Sequence, residues 1–346
     1  MGLFSRQGNC FTPDTRRLVP SSGRVLSCSH RHMASGVPCR AFSGGTPMGR
    51  QATEDIVVTH PERVLYPELG ITKGDVAEYY RAVMEWFLPG VVDRPTSVLR
   101  FPDGIGEQGF FQKHPMRGLS HAGHVRLREE SGKWAEYLCP NDASSVIGLV
   151  QFGTIEFHPW GARANSLEEP DYLVFDLDPG QGVSWRDIVD AARQMKRRLG
   201  KVGLDSFVRT TGGKGLHVVL PLHAACTWDD AKHFVQGFAR TLANEQPDRF
   251  IAKAAMDERG GKIFIDYLRN SRGATSVASY SLRARAGATV ATPLRWQDLA
   301  KCKGPGDFTI DTVPRRLARL RGDPWEGFTT LRQDLKQALH AYAEAD

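Results

Sequence analysis

The chain has 346 residues, 41% hydrophobic and 24% charged, which suits a globular protein with material for one large core or two modest ones. Its net charge of +6 sits in the first fifty residues, where seven arginines face one acid, Asp14. The other 296 residues sum to zero, so bulk charge gives no argument for a nucleic-acid surface. No run approaches the ~18 uncharged apolar residues of a membrane span. Six cysteines without a C-x-x-C pair argue against a disulfide framework and a zinc site. The expectation is a soluble cytoplasmic protein with no membrane partner.

Residues 1–50 are rich in Ser, Gly, Pro and Arg and show no periodicity, and they read as a disordered basic tail. The same composition fits an organelle transit peptide, or a start of translation mis-assigned upstream of Met33 or Met48. Ile56–Val58 reads as a short strand. Thr72 then caps a helix whose apolar residues Val76, Tyr79, Tyr80, Val83 and Phe87 recur at helical spacing until Pro89-Gly90. Tyr172–Phe175 is a strand, and Ser184 with Asp187 opens a helix to about Leu199. Strands follow at Phe207–Thr210 and Leu216–Leu220, and Thr227 with Asp230 opens a helix to about Asn244. Ile263–Tyr267 and Val277–Leu282 read as strands, and the segment from Trp296 onward as mostly helical and charged. Interspersed strands and helices indicate an α+β or α/β catalytic domain.

Three segments carry chemistry. In Tyr172-Leu-Val-Phe-Asp-Leu-Asp178, Asp176 and Asp178 stand at i and i+2 on one strand face, able to share hard divalent cations. Asp266 lies within another apolar strand, where its bland reading is a salt bridge to Arg259, Arg269 or Arg272. Between them, Arg209-Thr-Thr-Gly-Gly-Lys-Gly-Leu-His217 has a phosphate-binding composition, though not Walker spacing; a glycine-rich hairpin turn is the alternative. Together they suit phosphoryl transfer, with one metal activating a hydroxyl and another neutralising phosphate charge.

This order of motifs resembles the archaeo-eukaryotic primase superfamily and, more narrowly, the polymerase domain of bacterial DNA ligase D. The resemblance runs from about Val57 to Phe328 and includes His60-Pro-Glu-Arg-Val-Leu-Tyr-Pro67, Gly109-Phe-Phe-Gln-Lys-His114, Glu156-Phe-His-Pro-Trp160, Phe264-Ile-Asp-Tyr-Leu-Arg-Asn270 and Tyr280-Ser-Leu-Arg-Ala-Arg285. It implies an α+β primase-like core of mixed and antiparallel sheets flanked by helices, spanning residues 51–330, with a C-terminal helical extension over 331–346. It further implies two ions, Mn²⁺ or Mg²⁺, held by Asp176, Asp178 and Asp266. Thr211, Lys214 and His217 would contact nucleotide phosphates, Arg283 and Arg100 would support them, and His158 would lie near the sugar. Phe110 and Phe111 would stack a template base, and Arg63 and Lys73 would grip a 5′-phosphate. Two departures are visible: Thr211 stands where Ser is common, and Arg63 where Lys is frequent.

The implied activity is ribonucleotide-preferring gap filling and end joining. Its partners would be NTP or dNTP, broken or gapped DNA, Ku and a separate ATP-dependent ligase, in a bacterial, nucleoid-associated setting. The alternatives are a de novo primase, a non-catalytic DNA-end-binding module and a metal-dependent nuclease. A nucleotide-activating ligase needs K-x-D-G; the nearest approach is Phe101-Pro-Asp103-Gly104, so ligation is not expected, nor is a nuclease module, and a free-standing polymerase domain is.

Overall fold

The computed structural model describes residues 56–119, 122–222, 226–253 and 259–342. The proposed tail over 1–50 lies outside them.

Local sequence sets the helices. Helix α1 (Lys73–Phe87) starts at a capping box, Thr72 accepting from the Asp75 amide and Asp75 from the Thr72 amide, and buries the anticipated apolar stripe. Helices α3 (Trp185–Lys201) and α4 (Trp228–Glu245) start the same way, at Ser184/Asp187 and Thr227/Asp230. Helix α2 (Ala143–Gln151) was not anticipated. It is apolar and buried on nearly every side, so it offers no amphipathic contrast, and only the Asp142 cap marks it.

The central sheet has six strands. Its middle strand β8 (Tyr172–Pro179) lies antiparallel between β10 (Leu216–Pro221) and β12 (Ile263–Asp266). Outside β10 come β9 (Phe207–Thr210) and the short β13 (Pro293–Leu294); outside β12 comes β11 (Phe250–Ile251). Alternation splits β8 between two faces. Leu173, Phe175 and Leu177 are fully buried, with Phe175 against Phe234 and Phe238 of α4. On the opposite face Tyr172 and Val174 meet Val219 and Trp325, and the same face continues upward to Asp176 and Asp178. A second sheet orders β4 (Phe110–Gln112), β3 (Thr96–Arg100) and β7 (Thr154–Pro159); two hairpins, β1–β2 (Val64–Tyr66, Ile71–Thr72) and β5–β6 (His124–Arg128, Trp134–Leu138), complete the α+β fold.

Three expectations need correction. Ile56–Val58 joins no sheet among the described residues. Val277–Leu282 is irregular: Tyr280 takes a left-handed φ of 63°, and the Ala278 amide bonds to the Phe157 carbonyl. Among the described residues beyond Trp296 only Thr312–Leu317 (α5) and Lys336–Tyr342 (α6) are α-helical, with Pro305, Pro324 and several glycines in the stretches outside them. Helix α6 packs Tyr342 on Phe234 and Phe238.

Candidate active site

Sheet register assembles the centre. Asp176 on β8 lies directly opposite Asp266 on one side and His217 on the other, and His217 in turn lies opposite Arg209 on β9. Residues paired across strands share a face, so Asp266, Asp176, His217 and Arg209 form one row, with Asp178 two residues along on the same side. Asp178 is half exposed and paired with Arg259 at 3.2 Å. Asp266 accepts from the Leu268 amide at 2.8 Å and pairs with Arg269 at 3.4 Å, so the salt-bridge reading of this residue also holds. Burial and the neighbouring Asp176 carboxylate raise the carboxyls of both Asp178 and Asp266, against the pull of the arginines. Among the described residues no three His, Cys, Asp or Glu side chains converge into a ready-made metal cage; Asp178 and Asp266 are turned to their arginine partners.

The glycine-rich segment is the turn joining β9 to β10, and it packs on the end of β8. Thr211 organises it: its hydroxyl accepts from the Gly213 and Gly215 amides at 3.1 and 3.3 Å. Gly212 has φ +65°, and any Cβ there would meet Arg283 and the Val290 backbone within 3.0 Å. Lys214 is exposed at the tip. Thr211 and His217, expected at phosphate, lie in the turn and beside Asp176. Thr211 shapes the turn, while His217, 3% exposed, faces Asp176 through Nε2 (3.5 Å) and accepts from Arg209 Nε at Nδ1 (3.0 Å).

The second sheet supplies the opposite wall. Glu156, missed as a site residue, is its hub. Its buried carboxylate takes His158 Nε2 at 2.8 Å, Arg283 Nε at 3.0 Å and the Ala284 amide at 2.8 Å. Arg283 also donates to the Thr211 carbonyl, tying this wall to the turn. The signal available in sequence was Glu156 and His158 at i and i+2 on one strand. Burial alone would raise the Glu156 carboxyl, but the His158 hydrogen bond and the Arg283 charge hold it down at about 2. A depressed carboxylate stabilises the fold above the ordinary carboxylate range, and that contribution is lost as pH falls toward 2. Glu156→Gln should therefore cost about 3 kcal/mol at neutral pH and progressively less below about pH 4. Denaturant midpoints at the two pH values check this; an equal loss at both would contradict it.

Phe110 and Phe111, expected to stack a template base, are 46% and 63% exposed. Phe111 stands edge-on to His158 with ring centres 5.3 Å apart, while Phe110 covers the Arg100 guanidinium at 5.1 Å. Arg100 does not join the carboxylates. It is buried under Phe110, donating to the Phe152 carbonyl and Gln112. Arg63 and Lys73 do come together at the start of α1, where the Lys73 amide donates to the Arg63 carbonyl at 2.7 Å. Lys73 is buried, its Nζ 3.5 Å from the Gln151 carbonyl, and burial and then the Arg63 charge lower its pKa. No helix among the described residues is long and apolar enough to cross a membrane.

An α+β core that gathers three carboxylates on one sheet face, beside a phosphate-type glycine turn, defines a protein of the primase-like nucleotidyltransferase class. Comparison with known proteins agrees: the profile of the LigD primase-polymerase domain matches residues 72–325, and the chain belongs to that family. It is 39% identical over 319 residues to the multifunctional non-homologous end joining protein LigD of Pseudomonas aeruginosa, covering 87% of this chain and 38% of that protein. It is 30% identical over 285 residues to the bifunctional LigD of Bacillus subtilis, covering 82% of this chain and 46% of the relative. The chain thus spans less than half the length of these relatives. Among solved structures, the polymerase domain of Mycobacterium tuberculosis ligase D in complex with DNA matches with a TM-score of 0.74 and 29% identity, over 80% of this chain and 99% of that one.

Proposed function

We propose that the chain is a template-dependent polymerase of non-homologous end joining, adding nucleotides, ribonucleotides preferentially, to a primer 3′-hydroxyl at gapped or broken duplex DNA. The observation that carries this reading is the register placing Asp176 opposite Asp266, with Asp178 on the same face beside the Thr211–Gly215 turn. The three side chains fit hard divalent ions: all donors are carboxylate oxygens, and their mutual repulsion favours a cation among them. Two Mn²⁺ or Mg²⁺ ions held there would acidify the attacking hydroxyl and offset charge on the phosphate under attack. Arg259 and Arg269 reduce the cost of gathering the acids.

Lys214 meets the triphosphate from the tip of the turn, Arg283 adds charge at its base, and Thr211 and His217 act by shaping the turn and steering Asp176. His158, fixed by Glu156, borders the sugar. Phe111, with Phe110 backed by Arg100, forms the stacking platform for a template base, and stacking is worth ~1–3 kcal/mol per base. Arg63 and Lys73 receive a 5′-phosphate across the gap, and Ku and a separate ligase are the partners this activity calls for. Mapping products with and without a primer separates the readings: growth from the primer alone supports gap filling, primer-independent synthesis supports a primase, and strand shortening supports a nuclease. Lys73→Ala should remove the preference for a 5′-phosphorylated gap and reduce the salt slope of DNA binding by about one. An unchanged preference would assign Lys73 to the fold instead.

A further inference from the structure

We propose that Arg209 is a positioning residue of the catalytic centre, locking His217 in the neutral tautomer that points its Nε2–H at Asp176. The inference rests on the proposed role of Asp176. Arg209 is 4% exposed, and a guanidinium Nε can only donate. Its 3.0 Å contact with His217 Nδ1 therefore requires a lone pair on that nitrogen, which leaves the ring proton on Nε2, 3.5 Å from Asp176 Oδ2. The other tautomer would set N–H against N–H on one side and a lone pair against a carboxylate on the other.

Arg209 is itself fixed. Nη1 donates to Ser279 Oγ at 3.2 Å, Nη2 to Ser276 Oγ at 3.3 Å, and the guanidinium lies 5.7 Å from the Trp325 ring centre. Arg94, likewise buried, takes the Asp171 carboxylate at 2.6 and 2.5 Å. The hydrogen-bond acceptors of Arg209 are instead an imidazole and two hydroxyls, all uncharged. Asp176 lies one strand further on in the same row, with the imidazole between it and Arg209. Outer partners of this kind set ligand orientation.

The test uses the full chain, metal-free, with ¹⁵N-labelled histidine. Near neutral pH the His217 ring in the wild-type protein should carry its proton on Nε2; a proton on Nδ1, or tautomers in exchange, overturns the proposal whatever any variant does. Arg209→Met should lose the fixed tautomer and lower kcat for single-nucleotide addition by about 10–100-fold, with KM for the nucleotide within a few-fold. Arg209→Lys should recover part of both. An Arg209→Met protein with wild-type thermal midpoint and wild-type kcat contradicts the role. Wild-type protein that extends no primer would instead defeat the polymerase reading, while the tautomer measurement still decides the Arg209–His217 geometry.

Discussion

Asp178→Ala should lower templated nucleotide addition by about 10³-fold or more, the loss expected when a carboxylate worth some 4 kcal/mol of transition-state stabilisation is removed. The fold should not suffer. The Asp178 side chain is 51% exposed, and burial of its other half together with the neighbouring Asp176 and Asp266 raises its carboxyl. Removing it relieves like-charge crowding, so the thermal midpoint should hold or rise slightly. That combination, a lost rate in an intact protein, separates a reacting group from a structural one. Addition near the wild-type rate would remove Asp178 from the chemistry.

Gly215→Ala should destabilise the protein by about 1–3 kcal/mol or more, because the added methyl has nowhere to go. Its Cβ would lie 2.0 Å from the Leu177 carbonyl oxygen and 3.1 Å from the carbonyl carbon, backbone atoms that cannot move without breaking the pairing of Leu216 with Leu177. Leu177 stands between Asp176 and Asp178, so the same displacement should disturb the carboxylates and cut activity further. Gly200→Ala is the control: nothing lies within 4 Å of its Cβ and it sits in helix α3, so it should be neutral or stabilising by up to about 1 kcal/mol. Equal thermal midpoints for the two variants would refute the close-approach argument.

What was legible in the sequence was whatever local chemistry decides. The three capping boxes marked their helices because a hydroxyl followed three residues later by an aspartate satisfies the first amides before any packing occurs. Strands β8, β9, β10 and β12 of the central sheet were legible from their apolar runs, whereas the two-residue β11 and β13 are too short to carry a pattern. The second sheet and the β5–β6 hairpin were harder to see. Strand β4 exposes both phenylalanines, and β5 is largely exposed and charged, so neither shows the alternation that announces a half-buried strand. The apolar 277–282 segment misled in the opposite sense, since tertiary bonds to β7 and a left-handed Tyr280 override its pattern.

The same division holds within the site. Asp176, Asp178 and Asp266 could be picked out as residue types, but that Asp176 faces Asp266 across two strands is a fact of register, which sequence spacing does not contain. The partners of the central residues were hidden for the same reason. Glu156 reaches Arg283 across 127 positions, and Arg209 reaches His217 across a hairpin whose turn length had to be known first. Thr211 and His217 carry the residue types of phosphate ligands, but that the Thr211 hydroxyl takes the turn amides and His217 Nε2 lies 3.5 Å from Asp176 is a matter of tertiary geometry.

Single-turnover extension of a primer across a one-nucleotide, 5′-phosphorylated gap, with Mn²⁺ and each of the four ribonucleotides in turn, decides whether the three aspartates serve templated ribonucleotide addition. Addition of the nucleotide complementary to the template base, faster than with the matching deoxyribonucleotide, is the expected result. No addition, addition indifferent to the template, or shortening of the primer would contradict it.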